Sequence, residues 1–161
     1  MSQVFIALGA NLGAPLTQIH QAVAALQQLP RTRFIACSPL YASRPMGPSD
    51  QPDYINGVAW LDTELTPHQL LDATQRIELD LGRVRKAERW GPRTLDLDIL
   101  HFGTQLINLP RLQVPHYHLH ARAFVLCSAY VLGMAVTYAA AGVAAGFSGQ
   151  LLSAWLQNIW V

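Results

Sequence analysis

Apolar positions along the first hundred residues change period several times, and each change marks an element. Val4 to Leu8 is a short β-rich run that stops at Gly9, with the turn residues Asn11 and Gly13 behind it. Pro15 suits the first position of a helix, and Ile19, Ala22, Val23, Leu26 and Leu29 recur at helical spacing until Pro30. Thr32 to Ser38 reads as a strand. Pro39, Pro45, Pro48 and Pro52 then crowd one segment, which predicts an exposed, partly mobile loop, because proline lacks the N–H that a helix interior or central strand requires. Tyr54 to Leu61 resumes the strand pattern. Thr66-Pro67 opens a second helix, with Leu70, Leu71, Thr74, Ile77, Glu78 and Leu81 along its stripe and Gly82 as its stop. After a polar loop from Arg83 to Thr94, Leu95 to Phe102 is a strand. The order βαββαβ predicts an α+β fold, with an antiparallel sheet and both helices on one face.

Composition narrows the class. At 161 residues, 51% apolar and 13% charged, the chain is long and apolar enough for one folded domain, here expected to run from 1 to 161. A net charge of +1 provides no global field for nucleic acid. Cys37 and Cys127 lack metal-type spacing and read as buried small hydrophobes of a reducing compartment. With no basic, apolar leader at the start, the expectation is a cytoplasmic protein. The end of the chain differs. No charged residue and no His follows Arg122, and Tyr130 to Phe147 is nearly long enough to span a bilayer, although rich in Ala and Gly. A buried C-terminal region is the expectation, with an amphipathic helix over 150–159.

The chemistry gathers in "ERWGPRTLDLDIL", residues 88–100. Asp96 and Asp98 alternate with Leu95, Leu97 and Ile99, so a strand would project both carboxylates from one face, roughly 7 Å apart at Cα. Such a pair repels itself unless a cation intervenes, and Mg²⁺ is commonly held by one or two carboxylates together with substrate phosphates. Before the pair stand Arg83, Arg85, Lys86, Arg89 and Arg93 against one acid, Glu88. Guanidinium forks suit phosphate oxygens and the charge that shifts during phosphoryl transfer. Carboxylates for magnesium beside arginines for phosphate describe a nucleoside-triphosphate site, and without a GxxxxGK[ST] motif it is not a P-loop. Taken alone, Gln75 and Glu78 read as surface residues. His116, His118 and His120 read as surface or nucleotide-contacting side chains rather than a metal trio.

Four motifs, "ALGANLG", "RPMGPSDQPDYINGV", "RVRKAERWGPRTLDLDIL" and "VPHYHLHARAFVL", together resemble the 6-hydroxymethyl-7,8-dihydropterin pyrophosphokinases over about residues 4–126. The resemblance implies a ferredoxin-like fold and a reaction in which the pterin hydroxymethyl oxygen takes pyrophosphate from ATP and AMP departs. It implies that Asp96 and Asp98 hold two Mg²⁺ ions, that Arg83 and Arg93 assist transfer, and that Arg85 and Trp90 help close the loop over nucleotide and pterin. The pterin would stack between Tyr54 and Phe124, with its polar edge at Asn56 and the backbone of Ser43, Pro45 and Met46. ATP would contact Gln75, Glu78, Ile99, Arg111, His116, Tyr117 and Arg122. Small-molecule substrates, no nucleic acid and a monomer complete the expectation.

Beyond Leu126 the family pattern breaks. "CSAYVLGMAVTYAAAGVAAGF" replaces it, as if read out of frame, before "GQLLSAWLQNI" again resembles the family's last helix. Three alternatives therefore stand beside the enzyme: a member impaired by its C-terminus, an RNA-binding ferredoxin-like module using the Arg/Trp loop, and a version tethered to a membrane through the apolar tail. The strand aromatics of an RRM are missing, which weighs against the second.

Overall fold

The computed structural model describes residues 1–45, 50–83, 92–117, 124–125 and 127–128. All belong to one compact unit, Met1–Ser128. The expected helix over 150–159 and the apolar run from Tyr130 to Phe147 lie outside the described residues.

The elements follow the order read from the periodicity, with three additions. They are β1 (Ser2–Ala10), α1 (Pro15–Gln27), β2 (Thr32–Cys37), β3 (Tyr41–Ser43), β4 (Tyr54–Thr63), α2 (Pro67–Asp80), β5 (Asp96–Phe102), β6 (Ile107–Leu109) and β7 (Leu112–Val114). The main sheet runs β2-β4-β1-β5, antiparallel throughout, which is the ferredoxin-like order. The added β6 and β7 pair as a separate hairpin.

The short β3 sits where a loop was expected. It lies against the start of β4 (Tyr41↔Asn56, Ser43↔Tyr54), while β2 lies against the rest, so both occupy one edge. Pro39 interrupts that edge because it has no N–H to give. Ser38 carries the pairing across the break: its N–H donates to Val58 O at 2.9 Å, and its hydroxyl accepts from Val58 N–H at 3.0 Å. Proline thus confines the segment to an edge without preventing a three-residue strand.

One face of the sheet and the two helices enclose the core. Val4, Ile6 and Leu8 of β1 meet Leu61 of β4, Leu97, Ile99 and Phe102 of β5, Ile19 and Leu26 of α1, and Leu70 of α2, all buried. The alternation that sends Leu97 and Ile99 inward sends Asp96 and Asp98 to the opposite face. A smaller cluster on that face joins Ala7, Val58, Leu100 and Val125, with Phe5 and Phe124 against it. Cys37 is half-buried, and burial pushes its thiol pKa up, but Cys127 is exposed rather than the buried hydrophobe expected. Among the described residues no helix is long and apolar enough to cross a membrane.

Helix α2, which positions much of the site, begins with a capping box. The Thr66 hydroxyl accepts from Gln69 N–H, and the Gln69 side chain accepts from Thr66 N–H at 3.0 Å. Pro67 follows at the first helical position, where its missing N–H costs nothing. Thr66→Ala should lower stability by about 1 kcal/mol. In urea titration this would appear as a lower midpoint at unchanged slope.

Candidate active site

Strand β5 is an edge of the sheet, so its outer N–H groups need partners other than a strand. Helix α2 provides one. Glu78 is 2% exposed, and its carboxylate accepts from Leu97 N–H at 2.7 Å, between the two aspartates. A lone buried carboxylate would be costly. Here it also pairs with the Arg83 guanidinium, which itself donates to Asp96 Oδ1 at 2.7 Å. Glu78 is therefore no surface residue: its position on the apolar stripe was legible, but the edge N–H that it satisfies was not.

Asp96 also receives Arg93, whose guanidinium bonds to its second oxygen. Burial works against the Arg93 charge, but Asp96, with help from Asp98 and Tyr54, outweighs it and leaves the pKa above its ordinary value. Asp98 stands one pleat further along the same face, with His116 Nε2 3.7 Å from its carboxylate. The backbone of His116 is fixed to β5 by an N–H bond to Leu100 O at 3.0 Å, and its ring stacks on Tyr117 with centroids 4.6 Å apart.

These groups open onto one cavity of about 710 Å³. Asp96, Asp98, Ile99, Glu78 and Gln75 line it, together with Arg83 and Arg93. His116 and Tyr117 line it as well. The β6–β7 hairpin contributes Leu109, Pro110, Arg111 and Leu112. Arg111 reaches back to Asp72 of α2 at 2.7 Å, with both side chains exposed. The structure thus brings together all six expected nucleotide residues that it describes, both expected transfer arginines and both aspartates. Arg85, Trp90, Met46 and Arg122 lie outside the described residues.

The expected pterin residues do not line this cavity but adjoin it. Asn56 is buried at 6% exposure, and its amide donates to Ser43 Oγ at 2.7 Å, next to Pro45. Across β1, Gly9 faces Asn56 on one side and Asp96 on the other. A Cβ at Gly9 would stand 3.3 Å from Asn56 Oδ1 and 4.0 Å from Asp96 Cβ, so a side chain there would crowd Asn56. Tyr54 is close enough to Arg93 to raise its pKa. Phe124 packs by the small cluster that includes Ala7, the neighbour of Asp98 across the ladder.

Comparison with known proteins decides the family. The pattern of the 7,8-dihydro-6-hydroxymethylpterin-pyrophosphokinase family matches residues 5–132. The chain belongs to that family. It is accordingly a pyrophosphokinase, a transferase with a function in folate biosynthesis. It is 63% identical over 126 residues to the 2-amino-4-hydroxy-6-hydroxymethyldihydropteridine pyrophosphokinase of Pseudomonas aeruginosa, covering 78% of this chain and 77% of that one. Identity to the Haemophilus influenzae enzyme of the same name is 52% over 126 residues, covering 78% of each. For the Bacillus subtilis enzyme it is 44% over 122 residues, covering 76% of this pyrophosphokinase and 72% of its relative. The end of the chain resembles something else: residues 114–161 match the cytochrome c biogenesis protein transmembrane domain.

The sequence reading named Arg111 but not the hairpin that carries it, and took Asn11 for a turn residue only. The only signal for Asn11 was a polar residue at the end of an apolar strand. Arg83→Ala should lower stability by about 3 kcal/mol, because Glu78 would remain buried without its counter-charge. Adding Glu78→Gln should recover much of the loss, since a neutral amide oxygen still accepts from Leu97 N–H. Urea denaturation of the single and double variants checks both signs, and a double variant no more stable than Arg83→Ala would place the loss at Asp96 instead.

Proposed function

We propose that this chain transfers pyrophosphate from ATP to the hydroxymethyl group of 6-hydroxymethyl-7,8-dihydropterin. The observation that supports this best is Asp96 held by both Arg83 and Arg93, beside Asp98, in the lining of a cavity roomy enough for a nucleotide. In the reaction the pterin hydroxyl oxygen forms a bond to the β-phosphorus and gives up its proton to solvent, the bond from that phosphorus to the α,β-bridging oxygen breaks, and AMP leaves.

Asp96 and Asp98 offer hard oxygen donors from one strand face, a donor set that fits two Mg²⁺ ions. When bound, such ions neutralise phosphate charge and help orient the reacting oxygens. The arginines have the complementary task. With nucleotide present, Arg83 and Arg93 exchange part of their bonding from Asp96 to phosphate oxygens, and so stabilise the charge that moves onto the bridging oxygen. Gln75, Ile99, Arg111, His116 and Tyr117, with Glu78 beneath them and Arg85 and Arg122 added, form the nucleotide side. Ser43, Pro45, Met46, Asn56 and the rings of Tyr54, Trp90 and Phe124 form the pterin side, where an Asn amide can read the ring's donors and acceptors. A monomer in the cytoplasm, acting on small molecules and not on nucleic acid, completes the reading. The match of residues 114–161 to a transmembrane domain supports a second reading, a member whose altered C-terminus impairs it.

Purified protein given ATP, Mg²⁺ and the pterin should release AMP, with none released when EDTA is added or pterin is omitted. Folded protein without AMP release would favour the impaired member. Asp98→Ala should lower turnover by at least ~10³-fold, as expected where charge stabilisation at the phosphates is lost. Activity within about tenfold of the parent would remove Asp98 from the metal site. Arg93→Ala should cut single-turnover transfer by ~10²-fold or more while pterin affinity changes by less than about threefold.

A further inference from the structure

Asn11 belongs to neither substrate set, yet it holds the ends of both segments that flank them. It directly follows β1 and is 2% exposed. Its Oδ1 accepts from Arg93 N–H at 2.8 Å, while its own N–H and that of Leu12 donate to Arg93 O at 3.0 and 3.3 Å. The other end of the same amide points to the proline-rich segment. There Nδ2 donates to Pro52 O at 3.1 Å and reaches Gln51 Oε1 at 3.4 Å.

One side chain therefore uses its acceptor for the segment that carries Arg93 and its donor for the segment that leads into Tyr54. An amide has both functions and an ionised carboxylate has only the first. Arg93 and Tyr54 also feel each other electrostatically, so the two held segments converge. We infer that Asn11 is a positioning residue that sets the arginine-bearing and proline-rich segments relative to each other, so that Arg93 and Tyr54 are presented together. The inference rests on the proposed roles of Arg93 at phosphate and Tyr54 at pterin. Asn11 has no contact with either substrate in this scheme, and acts through the backbone of Arg93 and Pro52.

The test compares Asn11→Asp and Asn11→Ala with the parent protein, first by hydrogen exchange without substrates and then by steady-state kinetics. Asp retains an oxygen for Arg93 N–H but has no donor for Pro52 O, whereas Ala retains neither. Exchange over residues 50–53 should rise by about tenfold in both variants, and exchange at the Arg93 amide by about tenfold only in Ala. KM for the pterin should rise about three- to tenfold in both, with kcat falling further in Ala than in Asp.

A residue that merely completes the turn would give the same exchange and kinetic pattern in both variants, and that result overturns the inference. So would a pterin KM within about twofold of the parent in both. Should Ala fail to fold, the Asp variant alone decides, through the contrast between residues 50–53 and Arg93. A parent protein that folds but releases no AMP defeats the proposed reaction, and the exchange contrast still decides the role of Asn11.

Discussion

The bond from Leu97 N–H to the Glu78 carboxylate is the contact on which the site depends. It satisfies an edge strand that has no further strand beside it, and it ties the segment between Asp96 and Asp98 to helix α2. A carboxylate in that position must have a counter-charge, and Arg83 is that counter-charge. Arg83 in turn is aimed at Asp96, where Arg93 meets it. A requirement of sheet architecture, the pairing of one edge N–H, thus leads through a buried acid to the convergence of two guanidinium groups on a second, part-buried acid.

This chain of contacts explains how opposite charges coexist at the end of an otherwise apolar sheet. In the structure Asp96 is balanced by arginine rather than left to repel Asp98. Phosphate oxygens and the carboxylate can then compete for the same guanidinium groups. Displacement of this kind frees the carboxylate as the guanidinium groups take up phosphate, so on the proposed reading arrival of the nucleotide would itself prepare the carboxylate pair.

Much of the fold was legible because two periods dominate the sequence. Leu97 and Ile99 alternate with Asp96 and Asp98, and Leu70, Thr74 and Ile77 recur at helical spacing, so strand face and helix face were readable from local pattern. What escaped was set by contacts distant in sequence. Tyr41–Ser43 became a strand because the free edge of β4 was available, and Glu78 became buried because Leu97 N–H lay above it. Asn11 binds partners at positions 51, 52 and 93, which no local window joins. The aspartates and arginines of the site were conspicuous by charge; the residues expected at the pterin, Tyr54, Asn56 and Phe124, came from family resemblance, since aromatic and amide side chains have many ordinary uses.

The bare backbone at Gly9 has a consequence of its own. Asn56 and Asp96 lie on either side of it with only a strand's thickness of main chain between them. A single methyl group would stand 3.3 Å from the Asn56 amide oxygen, so Asn56 would have to give way to admit it. Position 9 is therefore a pinch point of the central strand, where main chain alone fits beside the Asn56 amide.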